Sequence, residues 1–240
     1  MKTDIDKSKI TFPDKEKLEF LRTVSVCDVS DALTRFNIRN ARLRGVLPLK
    51  QYERGARHMA GPAVTIRFVP SHYKTQYRDV PNRLTEIVEE APPGCVVVVE
   101  GGDLMPVQGQ MNCLTAIRSH HEGSVGDGPV RDVDELRSFD FPIFHRVSPI
   151  GVTMETYVGN LLCAGSYEYI NCAGALVRPG DIVVGDNNGV VVVPFERVDE
   201  VIEATRDIIH LEDELKQRIA NGESWKQIYS TTHAGKYGKD

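Results

Sequence analysis

Two uninterrupted valine runs, Val96–Val99 and Val190–Val193, constrain this chain more than any other feature. Branching at Cβ favours extended backbone, because the side chain packs poorly against a preceding helical turn. A strand with one solvated face alternates apolar and polar residues; Cys95–Glu100 does not, so both of its faces must be covered. Cys95–Glu100 lies between Pro92-Pro93-Gly94 and Gly101-Gly102-Asp103, which punctuate its ends. Asp186-Asn187-Asn188-Gly189 joins Ile182–Gly185 to Val190–Val193 and reads as a hairpin, with Pro179-Gly180-Asp181 turning into its first strand.

Helical patterns surround these strands. Lys15–Arg22, Asp28–Phe36 (with Ser25 or Asp28 as its cap), Asn82–Ala91, Gly109–His121 and Asp132–Ser138 read as helices. Ala63–Val69, Ser124–Gly126 and Pro142–Val147 read as further strands, and the stretch onward to Gly174 as mixed strands and turns. Pro70–Pro81 reads as a loop carrying His72, Tyr73, Tyr77 and Arg78, of a size that often serves function. Glu196–Asn221 is a long helix with Gly222 at its stop. Helices alternating with strands early, and hairpins late, give a mixed α/β fold with more than one sheet layer.

In that last helix Val198, Val201, Thr205, Ile208, Glu212, Leu215 and Ile219 recur at steps of three and four and share one stripe. Glu212 is its only charge. It either snorkels to water from the stripe's edge or points into a polar pocket of a neighbouring subunit.

Composition narrows the function. A chain of 240 residues with 41% hydrophobic content can bury a large core. A net charge of −5 and a pI near 5.8 disfavour nucleic acid or an anionic membrane as the main partner. The polar segment Met1–Lys17 has no signal-peptide core, and no apolar run is long enough to span a bilayer, so a soluble, cytoplasmic protein is expected. Cys27, Cys95, Cys113, Cys163 and Cys172 are odd in number and lack zinc spacing, so they read as small buried hydrophobes. His72, His120, His121 and His145 follow no ligand spacing and read as surface or satisfied histidines.

Chemistry concentrates in Gly128-Pro129-Val130-Arg131-Asp132-Val133-Asp134, where a turn hands over to a helix. Arg131 can grip an anion through its fork of donors, and Asp132 offers a hard oxygen to a divalent cation. The plainer alternatives are a solvated surface pair, or an aspartate that merely caps its helix. Asp103 is open in the same way, as an acid or as a turn residue after Gly-Gly.

In order and spacing, these pieces resemble the family of the regulator of RNase E activity and its aldolase relatives. Nearest among them are the metal-dependent 4-hydroxy-4-methyl-2-oxoglutarate / 4-carboxy-4-hydroxy-2-oxoadipate aldolases. The resemblance runs from about Val24 to Gly222. It rests on Cys27–Leu33, Gly61–Ile66, the valine strand into Gly101-Gly102-Asp103, Gly128–Leu136, Phe141–Phe144, Pro179-Gly180-Asp181 and Asp186–Pro194.

It implies a three-layer β/β/α swivelling-domain fold, one aldolase-like domain over residues 1–240, with 1–23 an N-terminal extension and 196–240 the C-terminal helix and tail. It implies trimers or hexamers with active sites between subunits. It implies Mg²⁺ or Mn²⁺ held directly by Asp132, Arg131 on the pyruvyl group, and amides of Gln110, Met111 and Asn112, after Gly109, on the substrate carboxylate. Glu212 of a neighbour would complete the site. The aldolases usually carry Asp or Glu after that glycine, touching metal-bound water; this chain has Gln110. The implied function is a lyase that releases pyruvate from 4-hydroxy-2-oxo acids, or decarboxylates oxaloacetate. The alternative is a non-catalytic regulator binding a protein such as an RNA-processing enzyme. That branch typically lacks the aspartate after its arginine, which favours the enzyme here.

Overall fold

The computed structural model describes residues 7–53, 56, 58–74, 81–102, 108–146 and 161–232. Tyr77, Arg78, Asp103 and the tail beyond 232, all singled out above or part of the expected tail, lie outside them.

The frame is an eight-stranded sheet that nearly closes on itself. Its path runs β1 (Val46–Pro48), β5 (Ile143–Arg146), β4 (Gly123–Gly126), β3 (Val96–Glu100), β2 (Met59–Pro70), β9 (Ile182–Asp186) and β10 (Gly189–Val193), with β6 (Leu161–Ser166) also pairing β2. β2 to β5 run parallel, while β9, β10, β1 and β6 join antiparallel. The Leu43 N–H donates to Val190 O at 3.1 Å, bringing the segment before β1 against the far end of the path. The small β7 (Ile170–Cys172) and β8 (Ala175–Val177) hairpin covers one mouth and packs into the enclosed core.

This closure explains the valine runs. Val96 and Val98 point into the enclosed core, while Val97 and Val99 meet α3 (Pro81–Glu90) and α4 (Gln110–Arg118) outside. Likewise Val190 and Val192 face inward, and Val191 and Val193 pack under α1 (Lys15–Leu21), α2 (Val26–Arg35) and α6 (Val198–Ala220). Period-two alternation of direction with apolar partners on both sides leaves no position for a polar residue. The result is a mixed α/β structure with two β layers around one core, outer helices and a long C-terminal helix.

Several boundaries differ from expectation for local reasons. α2 starts at Val26 because the Ser25 hydroxyl accepts from Cys27 N at 3.1 Å, fixing the cap ahead of Asp28. β2 begins four residues before Ala63, where β9 supplies a partner for Met59–Pro62. Pro62 is tolerated there at the end of that antiparallel pairing, where one missing donor interrupts little. α4 ends at Arg118 rather than His121, with His120 in the left-handed region at φ 57°. α6 follows a 3₁₀ turn at Phe195–Arg197, so it begins at Val198 rather than Glu196. The two-residue loop Asn187-Asn188 closes the expected hairpin, and the buried Asp186 carboxylate accepts from Asn188 N and Val26 N, tying it to α2.

Gly61 marks the tightest junction between β2 and the turn before β3. A Cβ there would lie 2.5 Å from the Gly94 carbonyl oxygen and 3.3 Å from Val96 Cγ2. Backbone cannot yield as a side-chain tip can, so Gly61→Ala should cost about 1–3 kcal/mol in urea unfolding. An unchanged midpoint would show that the turn moves freely.

His121 is buried and its Nε2 lies 2.7 Å from the Val88 carbonyl, which makes Nε2 the protonated nitrogen. Burial pushes its imidazole below its ordinary range, and burial does the same to His145. The unfolded chain therefore binds these protons more readily, so stability should fall as pH drops below about 6.5. A His121→Asn/His145→Asn double variant should show a shallower fall of melting temperature with acidification. An identical slope would remove these histidines as its source.

Candidate active site at the start of α4

The parallel strands β3 and β4 end at the same edge of the sheet, and the segments that leave them are drawn together again. Gln108 and Val130 form an isolated parallel bridge, and Arg131 N–H donates to Gln108 O at 3.1 Å. Gln108 is buried, and its side-chain amide donates to Ser124 Oγ at 2.9 Å and Phe144 O at 3.3 Å. One residue further along each segment, Gly109 faces Arg131 and Asp132.

A side chain at that step would crowd the pair. A Cβ on Gly109 would lie 3.0 Å from Arg131 Cγ and 3.2 Å from Asp132 Oδ2. Gly109 is also the N-cap of α4, in extended backbone and with no side chain to occupy the helix end. The first-turn amides of a helix lack intrahelical partners and attract negative charge.

Asp132 supplies that charge. It precedes α5 (Val133–Ser138) as N-cap in the left-handed region, φ 59° and ψ 43°, which aspartate tolerates better than most residues. Its side chain does not cap α5. Instead Oδ2 accepts from Gln110 N–H at 2.9 Å, and Oδ1 accepts from Arg131 Nε at 3.2 Å. The reading of Asp132 as a mere cap of its own helix therefore does not hold. Arg131 and Asp132 side chains are 36% and 29% exposed, so the pair is reachable by a solute. Burial, and after it the Asp132 charge, pushes the Cys113 thiol up to about 12.

The other expected site residues are placed as follows. Gln110, Met111 and Asn112 do form the first turn of α4. The Gln110 amide is already bonded to Asp132, the Met111 side chain is 63% exposed, and Asn112 Oδ1 accepts from Thr85 Oγ1 at 2.7 Å. Glu212 is not brought to them. It sits on α6, paired to Lys216 at 3.2 Å; burial, and after it the Glu212 charge, raises the Asp28 carboxyl. The buried part of the α6 stripe ends at Ile208, and Ile219 is 52% exposed.

One organising residue escaped the sequence reading. Asp127 is buried, and Oδ1 accepts from Gly101 N at 2.8 Å and Gly102 N at 2.7 Å, while Oδ2 takes Ala173 N at 3.4 Å. It ties the turn after β3 and the β7–β8 hairpin to the segment that carries Arg131. An acid between two glycines after a strand, Gly126-Asp127-Gly128, was the available signal.

Each Asp132 oxygen takes one hydrogen bond, which leaves each a further lone pair. Among the described residues no group of three or more His, Cys, Asp or Glu is arranged to hold a metal ion. A carboxylate with a free lone pair on each oxygen fits a hard cation that keeps several waters, as Mg²⁺ does. A larger concavity, about 720 Å³ with His58, His120 and Asp140 in its lining, lies at the other end of α4 and contains neither Arg131 nor Asp132.

Among the described residues no helix is long and apolar enough to cross a membrane. Residues 26–192 match the family model described as RraA-like: Aldolase/RraA. The chain is 30% identical over 213 residues to Protein DlpA of Legionella pneumophila, covering 88% of this chain but only 32% of that protein's length. It is 27% identical over 199 residues to a Halalkalibacterium halodurans protein named "Putative 4-hydroxy-4-methyl-2-oxoglutarate aldolase", covering 82% of this chain and 85% of that one. Among solved structures, Streptomyces coelicolor RraAS2, titled an unusual member of the RNase ES inhibitor RraA protein family, superposes with a TM-score of 0.72. That match has 27% identity and covers 87% of this chain and 99% of the other. With a family match over most of its length and the Arg131–Asp132 pair set at the start of α4, the chain belongs to the RraA-like Aldolase/RraA family.

Proposed function

We propose that this chain is a divalent-cation-dependent lyase that releases pyruvate from small 2-oxo acids, by retro-aldol cleavage of 4-hydroxy-2-oxo acids, by decarboxylation of oxaloacetate, or both. The observation that carries this reading is the Asp132 carboxylate, turned away from its own helix and held against Gln110 N–H and the Arg131 guanidinium. Mg²⁺ or Mn²⁺, when bound through Asp132, would supply positive charge at the 2-oxo oxygen.

Both reactions break the C3–C4 bond and leave its electron pair on pyruvate as an enolate. Arg131 would hold the substrate's oxygens through its donor fork. With the Gln110 N–H taken by Asp132, the Met111 and Asn112 amides of the first turn of α4 would orient the carboxylate next to the ketone. In the retro-aldol case the C4 hydroxyl must also lose its proton, whereas oxaloacetate loses CO₂ without that step. Gln110 can hydrogen-bond a water but cannot accept its proton. Decarboxylation should therefore outpace aldol cleavage, and Gln110→Glu should raise aldol cleavage the more, within the 10²–10⁴-fold typical of a positioned base. Comparing pyruvate release from oxaloacetate and a 4-hydroxy-2-oxo acid tests this. Equal gains for the two substrates would assign the base elsewhere.

We further propose a site shared between subunits in a trimer or hexamer, with a neighbour's Glu212 reaching the Arg131–Asp132 pair. Met111, Leu114 and Ile117 on the outward face of α4 are 63%, 40% and 37% exposed, and α6 leaves Ile219 open in its second half. Such faces suit burial against another chain. Mixing Asp132→Ala with Glu212→Ala protein, each inactive alone, should restore activity in reassembled oligomers. Verified mixed oligomers without rescue would place both groups in one subunit.

The second reading is a regulator without catalysis, supported by the likeness to RraAS2. A folded protein that releases no pyruvate from either substrate with Mg²⁺ or Mn²⁺ would favour it.

A further inference from the structure

On the other face of the sheet from α4 lies a concavity of about 520 Å³ that the reaction above does not use. Arg67 on β2 and Glu100 on β3 are directly paired in register and share the inward direction of Ala63, Val96 and Val98. The α4 helix packs on the opposite face, that of Val97 and Val99. Arg44, Tyr169, Asn171 and Leu176 complete the lining that the argument needs.

The chemistry of this lining is lopsided. Glu100 is already satisfied: Oε1 lies 3.4 Å from Arg67 Nε and Oε2 accepts from Asn171 N at 3.0 Å. Arg44 makes no ion pair among the described residues, and its backbone N–H donates to Ala173 O at 3.0 Å. Its guanidinium runs past Gly174, whose missing Cβ would lie 3.6 Å from Arg44 Cδ and 3.9 Å from Cζ; Gly174 also has a φ of +84°. The Arg44 side chain thus lies along Gly174 at ordinary van der Waals distance, at the edge of the cavity. Tyr169 and Leu176, 66% and 51% exposed, add an aromatic ring and an aliphatic surface beside two guanidinium groups and one carboxylate.

We propose that this concavity is a second ligand site, for an organic oxyanion, a carboxylate or a phosphate monoester, that carries an aromatic or apolar body. Arg44 and the free donors of Arg67 take the oxyanion, since a guanidinium fork matches either group in two-point fashion. The ring of Tyr169 takes the body. Neither Arg131 nor Asp132 is in the lining of this concavity.

Calorimetric titration of the full chain at low salt, with phenyl phosphate, benzoate and inorganic phosphate as probes, tests it. Phenyl phosphate or benzoate should bind saturably at one site per chain, and whichever binds more tightly identifies the oxyanion. Arg44→Gln and Arg67→Gln should each weaken that binding about tenfold or more. Tyr169→Ala should abolish the advantage of phenyl phosphate over inorganic phosphate, and Arg131→Gln should leave all three affinities unchanged. Each variant's melting temperature controls for folding. Absence of saturable binding by all three probes overturns the proposal, as does binding that Arg131→Gln removes and Arg44→Gln retains.

Discussion

Replacing Asp132 with alanine should abolish cation-dependent pyruvate release, a fall of about 10³-fold or more in kcat/KM. The reason is local. Among the described residues Asp132 is the carboxylate that bonds the start of α4, it has spare lone pairs on both oxygens, and no caged cluster stands behind it. Alanine also tolerates the left-handed backbone at φ 59° less well, so stability should drop by about 1–2 kcal/mol. Asp132→Asn separates the two effects. It keeps an oxygen for Gln110 N–H and suits that backbone, yet lacks the charge. It should melt close to the parent and be nearly as inactive as the alanine variant. An Asn variant with parent-like kcat/KM would remove Asp132 from the chemistry.

Arg131→Ala should lower kcat/KM by about 2–4 kcal/mol of transition-state stabilisation, the scale of one lost charge-stabilising donor. Cation binding should survive, because the carboxylate and its Gln110 bond remain. Lysine should rescue poorly, since a point charge does not reproduce a planar fork. The Arg131–Asp132 contact, about a third exposed, itself contributes little to folding. Loss of Mn²⁺ binding together with activity would mean that Arg131 organises the site rather than gripping substrate.

The sequence made the densest parts of the fold readable. Four valines between turn residues admit only a strand covered on both faces, and the sheet curls so that Val96 and Val98 meet Val190 and Val192 across one core. The Asp186–Gly189 turn and the long C-terminal helix were equally explicit. What escaped was short or depended on distant partners. β1 has three residues and is held by β5, and the β7–β8 hairpin has three residues per strand. β2 extends through Gly61-Pro62 only because β9 lies beside it. The helix α7 (Trp225–Thr232), after the Gly222 stop, was read simply as tail.

The site divides the same way. The types and spacing of Gly109, Arg131 and Asp132 were visible along the chain. The bond between Asp132 and Gln110 N–H was not, because it depends on the Gln108–Val130 bridge between segments 22 residues apart. The setting between two glycines was a signal for Asp127, but its partners at Gly101, Gly102 and Ala173 are gathered by tertiary packing. Glu212 stood out as the lone charge on an apolar stripe. Within one chain its partner is Lys216, and the role proposed for it requires a second chain.

The most direct test of a cation-dependent lyase is pyruvate release from oxaloacetate and from 4-hydroxy-2-oxo acids, followed before chelation, after complete chelation and after Mg²⁺ or Mn²⁺ is restored. Enzyme-dependent release should be fast with the cation, fall to the uncatalysed rate without it, and return when it is added back. Enzyme-dependent release that continues undiminished after complete chelation would contradict the central claim.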